Sequence, residues 1–288
     1  MRTPLSSQAV ARAFHDACLA ELDALKPGNV HRFDDDADAA MTVADFEASA
    51  RAAAPCIAMP MLAVGTRIRL AVEATINVVG QNTNLGIVLL AAPLAQAALV
   101  SGEGDLRQRL GNVLAGLSVE DAREAYAAIR HARPGGLGGA PKHDIGAEPN
   151  VTLLEAMRAA EDRDRIAWNY THAFADIFEL GLPRLAAAKA HGAQPGFATT
   201  YVYLGFLAAI PDTLIARKFG IELAEGVRRE AQALAETAES PDLEALMPKL
   251  SAFDRSLKQR GLNPGTSADL TVVTLFAAAL QASDDEAI

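Results

Sequence analysis

Gly80-Gln81-Asn82-Thr83-Asn84-Leu85-Gly86 places three amides and a hydroxyl, without a charge, between the apolar stretches 68–79 and 87–100. Such groups, held between buried helices, bind a ligand through hydrogen bonds alone. Cationic candidates lie elsewhere. Lys26 and Arg32 flank Gly28, and Pro211-Asp212-Thr213-Leu214-Ile215-Ala216-Arg217-Lys218 sets an acid and two bases within two helical turns. In Pro264-Gly265-Thr266-Ser267-Ala268-Asp269, Thr266 or Ser267 caps a following helix, whose free N–H groups favour an anion. Each segment also has a plainer reading: Asp212 and Asp269 suit the positive end of a helix without further function.

Other strings carry less. Asp34-Asp35-Asp36-Ala37-Asp38 begins like a calcium loop, but Ala39 stands where glycine is needed and Asp45 where Glu is usual. It reads as a solvated acidic turn, then as a weak magnesium site. Gly135-Gly136-Leu137-Gly138-Gly139 follows no strand, so it is a flexible loop or a close approach to phosphate. His31 and His143 fall in loops and His15 in a helix. The chain lacks HExxH, CxxC, a phosphate loop of the Walker type and G-x-S-x-G.

The elements positioning these residues have helical period almost throughout. Val10, Phe14, Ala17, Cys18, Leu22 and Leu25 share one face, after a cap at Ser6 or Ser7 and before the stop Lys26-Pro27-Gly28-Asn29. A second helix starts at Thr42 and is broken or kinked at Pro55 and Pro60, and Ser118 opens another that ends near Arg133. The periodicity predicts one long helix over 152–180 and further helices at 199–209, 221–238, 243–260 and 267–279. Residues 133–150, rich in Gly and Pro, form the longest irregular segment and read as a lid or binding loop. The fold class is all-α, a single large multi-helix domain over 1–288. Scarce aromatics and abundant alanine favour close-packed helices over sheet.

Half of the 288 residues are hydrophobic and 22% are charged, a globular composition. The net charge of −10 argues against a nucleic-acid surface, while leaving room for a small phosphorylated ligand. Glu73, the amide turn and Pro93 interrupt the long apolar run, which reads as core helices rather than a membrane span. Cys18 and Cys56 read as buried thiols of a reducing compartment, and no signal peptide is evident, so the expected location is cytoplasmic. Small-residue helices permit a homodimer.

Lys26-Pro27-Gly28-Asn29-Val30, Asn82-Thr83-x-x-Gly86 and Leu262-Asn263-Pro264-Gly265-Thr266-Ser267-Ala268-Asp269, with Phe253-Asp254-Arg255 upstream of the last, resemble the triphosphoribosyl-dephospho-CoA synthase family. The resemblance implies an all-helical enzyme that uses ATP and, with it, Mg2+. A ribose hydroxyl of dephospho-CoA attacks C1′ of the ATP ribose and adenine leaves. It also implies roles: Asn82, Thr83, Asn84 and Gly86 against ribose or base edges, and Lys26, Arg217 and Lys218 against phosphates. Gly28, Gly265, Thr266 and Ser267 join the nucleotide-binding set. Asp212, Asp269 and Glu73 supply carboxylate chemistry, the first two also as metal ligands. The partners are small phosphorylated molecules.

The chain departs from the family's pattern at defined places. The family's His-Lys after Asn-Thr is here Asn84-Leu85; its His-x-Asp-Met has Asp38 at the His position and Ala40 before Met41; its Gly-Asp-Thr-Asn is here Pro211-Asp212-Thr213-Leu214. This variant resembles a divergent branch found in archaea and methylotrophic bacteria with methanogen-like one-carbon cofactors. The resemblance therefore also allows a nucleotide-dependent step in methanopterin- or methanofuran-type cofactor synthesis, or nucleotide binding without catalysis.

Overall fold

A computed structural model describes residues 3–33, 41–140, 142–236 and 243–286. The described residues are helical, with no β-strand: α1 (Ser7–Leu22), α2 (Val43–Ile57), α3 (Val64–Val79), α4 (Leu85–Leu99), α5 (Leu106–Ala115), α6 (Val119–Ala132), α7 (Leu153–Arg158), α8 (Arg165–Thr171), a π-helical turn (Asp176–Gly181), α9 (Leu182–Ala190), α10 (Pro195–Ala209), α11 (Thr213–Phe219), α12 (Ile221–Glu236), α13 (Leu243–Gln259) and α14 (Gly265–Glu286). The all-α expectation holds.

Packing divides the chain into two compact units, each assembled from separate stretches of sequence. That interleaving explains why no linker is legible. The first unit comprises Met1–Cys18, Ala44–Ala175 and Phe276–Ile288; the second comprises Leu19–Val43 and Asp176–Leu275.

In the first unit α4 is the central element, with Ile87 through Ala95 buried without a gap. A helix apolar on every side must be covered on every side, and α3, α5, α6 and α8 all pack against it. The α3–α6 crossing is tight because Gly65 lacks a side chain: a Cβ there would lie 2.5 Å from the Asp121 backbone. The Gly65 N–H also donates to Asp121 Oδ1 at 2.8 Å, and Asp121 closes the Ser118 capping box that opens α6. Arg67, fully buried, donates to the carbonyls of Ile57, Met59 and Leu62 and to Gln96 Oε1, which ties down the connection from α2 to α3. With no carboxylate among these partners, burial pushes its guanidinium down to about 10.

The second unit is built on α10. Tyr203, Leu204 and Leu207 from that helix join Ile215, Val227, Leu250, Phe253 and Leu257 in one apolar core. Among the described residues no single helix is long and apolar enough to cross a membrane; the pair Pro195–Ala209 and Thr213–Phe219 qualifies only when joined across a 49° bend.

The long helix expected over 152–180 is broken. Thr152 and Asp164 each cap a new start, and Ala173 and Phe174 take left-handed backbone before the π-helical turn. Apolar period persists across such breaks, so periodicity alone merges the pieces. Residues 133–140 and 142–150 are irregular as expected, and the second stretch is pinned to α6 where Tyr126 and Arg130 donate to the carbonyls of His143 and Ile145. The acidic run at 34–38 and position 40 lie outside the described residues.

Candidate functional site

In the second unit the chain leaves α1 through Lys26-Pro27-Gly28-Asn29, and α10 holds this loop by its carbonyls. Thr200 donates to Leu25 O at 3.0 Å and Tyr203 to Pro27 O at 2.7 Å. Gly28 has φ +81°, and a Cβ on it would stand 2.7 Å from Leu262 O and 2.8 Å from Pro264 Cδ, so only glycine lets the two loops close on each other. Asn29 Nδ2 then donates to Asn263 Oδ1 at 2.7 Å. Lys26 is fully buried: its ammonium forms an ion pair with Glu21 and lies 3.3 Å from Asn29 Oδ1. Burial pushes the Glu21 carboxyl up, and Lys26 opposes that shift.

Asp254, projecting from α13, joins the same loops. Its Oδ1 accepts the Gly28 N–H at 2.8 Å and lies 3.5 Å from His31 Nε2; its Oδ2 accepts from Lys258 Nζ at 2.9 Å. His31 Nδ1 accepts the Phe33 N–H at 3.2 Å, and its Nε2 faces both Asp254 Oδ1 and, at 3.3 Å, Lys258 Nζ. Burial alone would raise the Asp254 carboxyl; His31, Lys258 and the Gly28 N–H outweigh it and hold it below its ordinary value. Asp254 and His31 are buried, whereas a third of the Lys258 side chain is exposed. Asn263 is partly exposed, and its amide nitrogen has no partner among the described residues. Two partly exposed donor-bearing side chains thus border the constellation: Lys258, held by Asp254, and Asn263, held by Asn29.

Asp212 links two helix starts. Its Oδ1 accepts from Leu214 N and Ile215 N as the cap of α11, and its Oδ2 accepts from Ser267 N at 2.8 Å and Ser267 Oγ at 2.9 Å at the start of α14. Burial pushes its carboxyl up, opposed by those bonds. Thr266 pairs with the Thr213 hydroxyl at 3.0 Å, and a Cβ at Gly265 would meet Leu214 Cδ2 at 2.6 Å. Helix α14 thus starts at Gly265, one or two residues before the expected caps, because Asp212 does the capping from outside the segment. With four donors on its two oxygens Asp212 has no lone pair for Mg2+, and no group of three or more His, Cys, Asp or Glu among the described residues could hold a metal. Asp269 is partly exposed in α14. Arg217 and Lys218 occupy the last turn of α11, where cations suit the helix dipole, with Lys218 exposed.

The amide turn belongs to the first unit. Asn82 Oδ1 accepts the Leu85 N–H at 3.1 Å, and Asn84, 4% exposed, donates from Nδ2 to Thr75 Oγ1 at 3.0 Å. Thr83 Oγ1 lies 2.5 Å from Ser49 Oγ. Gly86 sits in the first turn of α4. Glu73, on α3, pairs with Arg69 one turn earlier at 2.9 Å, and Arg69 also bonds Glu124.

The family model of CitG, ATP:dephospho-CoA triphosphoribosyl transferase, matches residues 7–287. The chain belongs to this family. A "Probable 2-(5''-triphosphoribosyl)-3'-dephosphocoenzyme-A synthase" of Stutzerimonas stutzeri (strain A1501) is 30% identical over 105 residues, which is 36% of this chain and 36% of that relative's length. A crystal structure from Archaeoglobus fulgidus, of a protein named for triphosphoribosyl-dephospho-CoA synthase, superposes with a TM-score of 0.63 at 24% identity, covering 81% of this chain and 98% of that one. That likeness carries the fold.

Within this CitG-family fold, the Lys-Pro-Gly, Phe-Asp-Arg and Asn-Pro-Gly-Thr-Ser blocks meet in one unit, and Asp212 joins the last of them. Sequence reasoning missed Glu21, Lys258 and Ser49 as partners. The only signal for Lys258 was its place one helical turn after Asp254. Glu21 and Ser49 gave none, since their partners lie across a helix end and on another element.

Proposed function

We propose that the chain transfers the triphosphoribosyl group of ATP to a ribose hydroxyl of a dephospho-CoA-like acceptor. The acceptor oxygen forms a bond to C1′, the bond from C1′ to adenine breaks, and the hydroxyl proton passes by way of a carboxylate to the departing base. What supports the reading is that the Lys-Pro-Gly, Phe-Asp-Arg and Asn-Pro-Gly blocks meet in one unit, bordered by the partly exposed Lys258 and Asn263. These two would hold phosphate oxygens of a substrate, with Lys218 and Arg217 as a second cationic pair. Asp254 and His31 are positioning residues. Asp269, a partly exposed carboxylate of the same unit, is the group we assign to accept the acceptor's proton and to face the cationic C1′. Lys26 and Asp212 hold the loops. Asn82, Thr83, Asn84 and Gly86 serve an uncharged substrate edge, and Glu73 supports that unit through Arg69. Magnesium would travel with the triphosphate. Two free cysteines suit a cytoplasmic location.

A second reading has its own observation. Asn84 and Leu85, standing where the resemblance places His and Lys, are both buried. An amide and a leucine supply neither the titratable proton donor nor the cation of those positions, which favours a different acceptor, of methanopterin or methanofuran type, or binding without turnover. Chromatography of adenine from ATP, with dephospho-CoA and with one-carbon cofactors as acceptors, separates these outcomes. Asp269→Asn should lower kcat by about 10²–10⁴ with KM little changed, and Lys258→Met should raise a substrate KM by about tenfold. ATP left intact with every acceptor would overturn the transfer reading.

A further inference from the structure

Ser49 has one hydroxyl proton, and it is given to the Asp45 carbonyl at 2.6 Å. The 2.5 Å contact between Ser49 and Thr83 must then carry the Thr83 proton, with Ser49 accepting. Thr83 is partly exposed, so what it turns to the outside is a lone pair and never a proton. Ser49 is 1% exposed and cannot exchange its bond for one to water, which keeps this direction fixed. The neighbouring Asn82 is anchored by its carbonyl oxygen on Leu85 N, and its Nδ2, without a partner among the described residues, is the end offered to a ligand. Asn84, buried beside them, has its Nδ2 on Thr75 and leaves Oδ1 without a partner among the described residues.

We infer that Thr83, its polarity set by Ser49 and the Asp45 carbonyl, is a specificity determinant that selects adenine of the donor nucleotide by its exocyclic amine. This rests on the proposed use of ATP. Adenine presents an N–H donor beside a ring-nitrogen acceptor, which complements a Thr83 lone pair beside an Asn82 N–H. Hypoxanthine reverses both groups, so its carbonyl oxygen would face the Thr83 lone pair and its ring N–H the Asn82 amide.

Calorimetry with ATP and inosine triphosphate on the intact protein tests this without turnover. The wild-type protein should bind ATP about tenfold more tightly, a ratio of the size one hydrogen bond supports. Ser49→Ala frees the Thr83 proton and should bring the ratio to within about twofold of unity, as should Thr83→Val, while Thr83→Ser should keep it. A purely structural Ser49 would change both affinities together and leave the ratio alone. A ratio that survives Ser49→Ala, or a wild-type protein that binds both nucleotides equally, overturns the inference and leaves the transfer reading standing. ATP that does not bind the wild-type protein overturns both.

Discussion

Lys26 shows what a single residue can and cannot declare. In sequence it is a lysine beside a glycine turn, the usual profile of a phosphate-binding cation; in the fold it is fully buried against Glu21, which lies on the far side of the helix end. Periodicity does not report contacts across a helix stop, so the partner was hidden. A buried pair is costly to break because the survivor keeps its charge without a counter-ion. Lys26→Met should therefore destabilise the protein by about 3 kcal/mol, and Lys26→Met/Glu21→Gln should recover most of that loss in urea unfolding. If the single variant is as stable as wild type while substrate KM rises steeply, Lys26 is a ligand contact after all. Asp212 carries the same lesson with a better outcome: its plain reading as a helix cap was available from Pro-Asp-Thr, and the structure adds only that it caps a second helix from a distance of more than fifty residues in sequence.

At the scale of elements, helix existence was legible and helix limits less so. The Ser118 capping box, the stop at Lys26-Pro27 and the helices of the C-terminal half come from caps, breakers and apolar period. What period cannot show is a break that preserves the buried face, as between α7, α8 and the π-helical turn. It also overlooked α5, whose Asp105/Gln108 capping box is as good as that of Ser118 but opens a helix of only ten residues. Which helices touch is set by close approaches that a sequence records as an ordinary glycine. Gly65 is the clearest instance, because the obstacle to a Cβ is the backbone of Asp121 rather than a side chain that can swing away. Gly65→Ala should push α3 from α6 and cost about 2–3 kcal/mol, read as a lower urea midpoint. A helix propensity gain of about 1 kcal/mol offsets only part of this. An unchanged midpoint would mean that the crossing is looser than its geometry.

Over the whole molecule, 36 acidic residues against 26 Lys and Arg argue against a nucleic-acid surface, but such totals hide that the fold moves individual carboxyls in opposite directions. Asp212 is raised by burial, so its contribution to stability is full below about pH 4 and is lost as pH rises through its folded value. Asp254 is held low against burial by His31, Lys258 and the Gly28 N–H, so its contribution is full above about pH 4 and is lost as pH falls through its folded value. Asparagine removes each titration while keeping the shape. Both variants lose an acceptor and should be less stable than wild type at pH 7, by about 1–3 kcal/mol each. Their pH profiles should then diverge. The gap between wild type and Asp254→Asn should close as pH falls from 7 toward 3, whereas the gap for Asp212→Asn should widen over the same range. Urea unfolding of the three proteins at stepped pH reads both. Parallel profiles would show that neither carboxyl departs from its ordinary titration, and a widening gap for Asp254→Asn in acid would show that burial, not its three donors, governs the carboxylate at the centre of the site.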